Sequence, residues 1–269
     1  MERCFHHDLT RRSFLGACAG SALAACAKAD RELPGAPSIP ILAYHRFDPV
    51  KWGSTTVTMS VLEEQLGLLA GAGFTLIGLG EAIERLRNGT TDQGRYAVLT
   101  ADDGHKSVHS VLFPFLRTRG LPITLFVYPD GISHESQALT WKQLDEMRRT
   151  GLVNVQSHSF THPRFDLERA QRTPDSFAAF VEEELDRSRQ VISERLGTPV
   201  DFLAWPYGVV DEQLEQAARK AGYGAAFGYG GGPAAPGMDF FALPRVGIDQ
   251  DVVGQRFLRA IQARSAGTT

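Results

Sequence analysis

The sequence predicts an α/β fold, a distorted or incomplete (β/α) barrel of the TIM type with about seven to eight strands. Two observations carry this prediction. From Ile39 onward short apolar runs alternate with segments of helical periodicity, the pattern of repeated βα units. Eight such runs fit within about 230 residues, which suits a closing barrel better than an open sheet. Composition narrows the class further. At 43% hydrophobic and 22% charged residues the chain reads as an ordinary globular protein, and no apolar run in the body approaches the roughly 20 residues of a membrane span. A formal charge of −3 with no Lys/Arg block supplies no electrostatic footprint for nucleic acid, and no nucleic-acid partner is expected. All 3 cysteines (Cys4, Cys18, Cys26) precede the body, so a metal held there must use histidine and carboxylate.

In chain order the first element is an address. Arg11-Arg12 followed by Phe14-Leu15 resembles a bacterial twin-arginine export signal, and Leu23-Ala24-Ala25-Cys26 resembles a lipobox. Residues 1–25 are therefore expected to be a removed signal, with Cys26 as the lipidated anchor and residues 26–38 as a tether. The expected location is the cell envelope, on the periplasmic face or the cell surface. Residues 39–269 form the expected catalytic domain.

The body begins with the run Ile39 to Tyr44. Further candidate strands are Phe74 to Ile77, Tyr96 to Thr100, Ile123 to Val127, Val153 to Ser157, Phe202 to Trp205, Gly224 to Phe227 and Leu243 to Val246. Between them, Ser60 with Glu63 and Thr140 with Gln143 have capping-box spacing, and Gly73, Gly89, Gly151 and Gly197 stand where helices should stop. The longest helix, about Asp175 to Leu196, carries Phe177, Phe180, Val181, Leu185, Val191, Ile192 and Leu196 at helical spacing. The Gly-rich segment 228–237 lacks the Lys-Ser/Thr of a phosphate loop and reads as a floppy surface loop.

In a parallel barrel the segments after the strands build the site. His45, Asp102-Asp103-Gly104, His158 and Pro206-Tyr207-Gly208 each follow an apolar run, and Arg245 sits in the last one. His158 and His162, four apart, would present both imidazoles to one point if they shared a helical turn, and Asp103 supplies the anionic partner a divalent cation needs. Adjacent carboxylates repel, so Asp102 and Asp103 are expected to divide their labour, one ligating and the other free to take a proton from water. Taken singly, each of these features also has a bland reading: a turn Asp-Asp-Gly, a core His45, a surface Arg245. His109 and His134 read as structural or surface residues, and His105 as a residue shaping the rim.

Assembled, the body resembles the polysaccharide deacetylases, the NodB-homology enzymes of carbohydrate esterase family 4. Thr100-Ala101-Asp102-Asp103-Gly104 matches their Thr-Phe-Asp-Asp-Gly motif except at Ala101, where an aromatic is usual, and His158-Ser159-Phe160-Thr161-His162 matches their His-Ser/Thr-x-x-His motif in full. The family's Arg-x-Pro-Tyr is replaced by Ala204-Trp205-Pro206-Tyr207, and its C-terminal Leu-x-His is missing. Leu42-Ala43-Tyr44-His45 instead looks like the permuted arrangement of the poly-β-1,6-N-acetylglucosamine N-deacetylases. The resemblance implies metal-dependent removal of N-acetyl groups from an acetylated polysaccharide. It implies Asp102 as base, Asp103, His158 and His162 as ligands, His45 as acid, and the backbone N–H of Tyr207 as oxyanion donor. Arg245 could stand in for the missing arginine. Trp205 with Pro206, or Trp52, would offer the substrate a face, with a core tryptophan as the equal alternative. His₂Asp suits zinc, iron, cobalt or nickel alike. Peptidoglycan, chitin-like oligomers and acetyl-xylan are rival substrates, and a catalytically silent glycan-binding lipoprotein is the rival of another class.

Overall fold

The computed structural model describes residues 38–48, 53, 55–89 and 94–262. Its strands are β1 (Ile41–Tyr44), β2 (Arg46–Asp48), β3 (Thr56–Thr58), β4 (Phe74–Leu76), β5 (Arg95–Ala101), β6 (Ile123–Val127), β7 (Val153–Ser157), β8 (Phe202–Ala204), β9 (Ala225–Phe227) and β10 (Val246–Gly247). Its α-helices are α1 (Met59–Gly71), α2 (Leu79–Asn88), α3 (Phe113–Arg119), α4 (Trp141–Arg148), α5 (Phe165–Ala170), α6 (Pro174–Leu196), α7 (Glu212–Lys220) and α8 (Gly254–Gln262). Every ladder between these strands is parallel, which requires crossovers, and helices supply most of them.

All eight predicted runs contribute to the main sheet, whose order is β10-β1-β5-β6-β7-β8-β9, with β4 attached to β5. The segment Leu243 to Gly247 links the two ends of that order. Leu243 exchanges backbone hydrogen bonds with β9 and its neighbour Gly228, at 3.0 and 2.9 Å, while Val246 and Gly247 pair with Leu42 and Ala43 of β1. The sheet thus curls into a distorted barrel. Its departure from a regular barrel is at the second unit: β1 pairs directly with β5, and β4 pairs only with the first three residues of β5. Strands β1 and β6 are buried at every residue, as strands covered on both faces must be, and this is why they read as unbroken apolar runs.

Two local expectations are corrected, and one small element is new. The cap of α1 is Thr58, whose hydroxyl accepts the Val61 N–H, rather than Ser60; Ser60 bonds the Thr58 hydroxyl instead. The Thr140–Gln143 capping box forms as read. The small parallel pair β2 and β3 had no apolar run to announce it. The segment 228–237 is no floppy loop: Ile39 and Ala234 exchange two backbone bonds of 2.8 and 3.0 Å, and Gly230 bridges to Arg245. Gly230, Gly231 and Gly237 there take positive φ, a shaped backbone that composition alone does not distinguish from looseness.

Candidate active site

The C-terminal ends of β1, β5, β7 and β8 open into one cleft of about 640 Å³, lined by His45, Asp102, Asp103, His158, His162 and Tyr207, among others. Its polar centre is an ion pair. Arg245 donates from Nη1 to Asp102 Oδ1 and from Nη2 to Oδ2, both at 2.7 Å, with the two side chains 0% and 2% exposed. The same guanidinium donates to Gly228 O at 2.9 Å and to Thr100 Oγ1 at 3.2 Å, so its plane is fixed from three directions. Burial by itself would push the Asp102 carboxyl up, but the Arg245 charge, with His158 and the Arg245 hydrogen bonds, holds it well below the usual carboxylate range. Arg245 is therefore the ion-pair partner of Asp102.

Asp103 turns the other way because the backbone reverses under it, with φ of 70° at Asp103 and 69° at Gly104. A Cβ on Gly104 would lie 2.8 Å from Ile132 Cδ1 and 3.1 Å from Val127 Cγ1, which explains the glycine of Asp-Asp-Gly. Asp103 Oδ1 lies 3.6 Å from Nε2 of both His158 and His162. One donor atom from each of the three residues can be chosen so that all lie within 4.8 Å of one another, which suits a common divalent cation. His158 Nδ1 contacts Ala204 O at 2.8 Å. Since a carbonyl only accepts, Nδ1 donates to it and Nε2 is turned toward Asp103, the usual support for a ligating histidine. Burial, and then the neighbouring His158, push His162 down to about 4, against the opposing pull of Asp103; it is neutral near pH 7, as a ligand must be. The donor set fits a divalent metal.

The two histidines do not share a helical turn, and that expectation is corrected. They flank a tight loop after β7 with Ser159 at φ 61° and His162 at φ 59°, and their ring centroids are 4.7 Å apart. The Ser159 hydroxyl accepts the His162 N–H at 3.1 Å.

His45 stands after β1, edge-on to the Tyr229 ring at 5.4 Å and 77°. Its Nδ1 is buried with no hydrogen-bond partner among the described residues. Burial pulls its pKa down, partly opposed by the charges of Asp102 and Asp103. Tyr207 has φ 58°, and the turn is closed by Gly208 N–H to Trp205 O and Val209 N–H to Pro206 O, leaving the Tyr207 amide outside both bonds. The Tyr207 ring is 57% exposed and packs on His162 at 4.7 Å.

Two substrate contacts expected from sequence are corrected. Trp205 is 0% exposed, its indole N–H donates to Phe241 O at 2.9 Å and its ring meets Phe165 edge-on; a ring so enclosed offers no face to a sugar. Pro206 is buried and shapes the turn. Trp52 and Cys26 lie outside the described residues. His105 bonds the Ser107 hydroxyl at 2.8 Å, and His109 and His134 contact Glu146 and Asp130 O away from the cleft. Sequence reading missed Tyr128, Tyr229, Arg46 and Arg164, which line the cleft, and Glu184, which lies behind it. Tyr128 was accessible to the strand-end rule, since it directly follows Val127. Tyr229 was hidden by the glycine run around it.

Fold and site together define a distorted βα barrel that carries a buried Asp102–Arg245 ion pair beside a His₂Asp donor set. The model for polysaccharide deacetylase matches residues 89–226, just over half of the chain, and the protein belongs to that family. It is an enzyme that acts on acetylated polysaccharide. The poly-beta-1,6-N-acetyl-D-glucosamine N-deacetylase of Staphylococcus epidermidis is 25% identical over 202 residues, 73% of this chain and 69% of that protein. Among solved structures, BC0361, a polysaccharide deacetylase from Bacillus cereus, is 25% identical with a TM-score of 0.69, covering 83% of this chain and 68% of that one. Deacetylase PplD of Streptococcus pyogenes, solved with acetate, shares the fold at 22% identity, with a TM-score of 0.72 over 83% of this chain and 98% of that one.

Proposed function

We propose that this enzyme removes N-acetyl groups from an N-acetylglucosamine polysaccharide, with poly-β-1,6-N-acetylglucosamine as its substrate, and that it requires a divalent metal. The observation that carries the reading is the placement of Asp103, His158 and His162 around one point, beside an Asp102 clamped by Arg245. The name of the staphylococcal relative and the position of His45 after the first strand support the choice of glycan. Asp103, His158 and His162 would hold the cation, which supplies a Lewis acid for the acetyl carbonyl and acidifies a water molecule. Asp102, kept ionised and oriented by Arg245, takes the proton of the attacking water. The Tyr207 amide donates toward the oxygen on which charge develops. His45 delivers a proton to the departing amine, which is too basic to leave as an anion.

Acetate release by the purified protein, measured over a panel of poly-N-acetylglucosamine, chitin oligomers, peptidoglycan and acetyl-xylan, tests substrate and reaction together. Chelation should abolish release, and zinc, iron, cobalt or nickel should restore it. Asp102→Asn should keep the metal and lose about 10²–10⁴-fold in rate, the usual weight of a general base. Full activity in that variant, or preferred release from another polymer, would refute the reading. The same proposal places the enzyme in the cell envelope, exported through the twin-arginine route and anchored at Cys26, on the strength of Arg11-Arg12 and Leu23-Ala24-Ala25-Cys26. Lipid labelling of the wild-type protein that persists in Cys26→Ala would overturn the anchor.

A further inference from the structure

The stripe of α6 that faces the sheet includes Phe177, Val181, Leu185, Ile192 and Leu196, and one acid, Glu184, falls within it at 3% exposure. Among the described residues Glu184 makes no ion pair. Its carboxylate is occupied by hydrogen-bond donors from one short segment instead. Oε2 accepts the N–H of Phe160 at 2.9 Å and of Thr161 at 2.8 Å, and Oε1 accepts the Thr161 hydroxyl at 2.6 Å. Phe160 and Thr161 lie between His158 and His162, in the loop whose Ser159 and His162 have left-handed backbone. Non-glycine residues held there cost of order 1–3 kcal/mol each and persist only where surrounding contacts over-determine them. A helix packing on the sheet needs no acid at this position: burying a carboxylate costs several kcal/mol, and methionine would fill the space. The site of burial coincides with two backbone N–H groups that the loop's shape leaves without intra-loop partners.

We infer that Glu184 is a positioning residue for the metal site, fixing the loop that aims His158 and His162 at Asp103. This rests on the metal reading above. The hydrogen bonds, rather than the charge, are what matter. Glutamine can keep its carbonyl oxygen on both N–H groups while the Thr161 hydroxyl reverses to accept from its NH₂.

The test uses the whole chain and zinc alone, with affinity read by competition against a chromophoric chelator and folding read by circular dichroism and Tm. Glu184→Met should fold and bind zinc about 10–100-fold more weakly, the usual effect of losing support behind a metal ligand. Glu184→Gln should stay within about threefold of the parent, as a variant that preserves the donor pattern. A folded Glu184→Met with parental affinity overturns the inference, because a packing role would lower Tm and leave affinity alone. So does a Glu184→Gln as weak as Glu184→Met, which would assign the effect to charge. If Glu184→Met does not fold, Thr161→Val, which removes only the 2.6 Å bond, decides. A severalfold loss of affinity supports the inference and an unchanged affinity overturns it. Absence of zinc binding in the parent chain would instead overturn the metal reading, and this inference with it.

Discussion

Replacing Arg245 by methionine removes the only cation bonded to Asp102 among the described residues and leaves that carboxylate buried. Breaking a buried pair from one side typically costs about 3–5 kcal/mol, because the surviving charge is uncompensated. The protein can limit the loss by protonating Asp102. Starting from an ordinary aspartate pKa, neutralising the carboxyl at pH 7 costs about 4 kcal/mol, which caps the penalty near the same figure. The pH dependence has a defined sign. In the parent chain the Asp102 pKa is depressed, so its contribution is present above the unfolded-state pKa and lost as pH falls through the folded one. In Arg245→Met burial is opposed only by the weaker pull of His158 and His45 and raises the pKa, so the variant loses stability as pH rises above the unfolded-state value. The gap between the two proteins should therefore be about 3–4 kcal/mol at pH 7 and shrink toward pH 4. Urea unfolding in the presence of chelator, at pH 7, 5.5 and 4.5, measures it. A gap under about 1 kcal/mol at pH 7, or one that does not change with pH, would show that Asp102 is solvated and that the ion pair does not organise the site.

Three further outcomes follow from the same geometry. Trp205→Phe should lower stability by about 1–3 kcal/mol through the cavity and the lost bond to Phe241 O, yet leave KM for the glycan unchanged; a raised KM with unchanged stability would restore Trp205 as a substrate contact. Tyr229→Ala removes the ring against His45 and should lower kcat about tenfold or more with metal content intact, whereas Tyr229→Phe, which keeps the ring, should not; kinetics paired with metal analysis separates these results. Gly104→Ala combines a φ of 69° with a Cβ 2.8 Å from Ile132, so about 1–3 kcal/mol of stability and some zinc affinity should go together, and a variant with parental Tm would contradict the packing described.

How far the site was legible in the sequence follows from where each constraint originates. Strands such as Ile123–Val127 are covered on both faces, so their apolar runs stand out and all eight could be read. Because cleft-lining side chains sit just past such runs, His45, Asp102, Asp103, His158 and Tyr207 could be located as well. Contacts set between distant segments were less accessible. Arg245 and Asp102 are 143 residues apart, and no local pattern states that they meet; only the missing motif arginine hinted at it. The His158–His162 spacing permits both a helical turn and a loop, and the choice depends on Glu184, 24 residues from Phe160. The sequence left Trp205 open between core and substrate face because exposure is decided by what packs over a residue, here Phe165 and the Phe241 carbonyl.

The distribution of backbone strain connects these cases. Five described non-glycine residues have positive φ: Asp103, Ser133, Ser159, His162 and Tyr207. Four of the five bear or flank the groups assigned to the chemistry, and each costs of order 1–3 kcal/mol. Strain of that size needs opposing contacts, and the structure shows one beside each. Gly104 lets the backbone reverse after Asp103 where any side chain would strike Ile132. Ser159 and Glu184 close the histidine loop from both sides. Gly208 packs so tightly on Tyr229 that a Cβ would lie 2.8 Å from its backbone nitrogen, which secures the turn of Tyr207 and sets the ring against His45. The barrel determines which residues reach the rim, but their aim comes from a second set, Gly104, Glu184, Gly208 and Tyr229. None of these four is itself assigned a chemical step, so variants there should separate the geometry of the site from its reactivity.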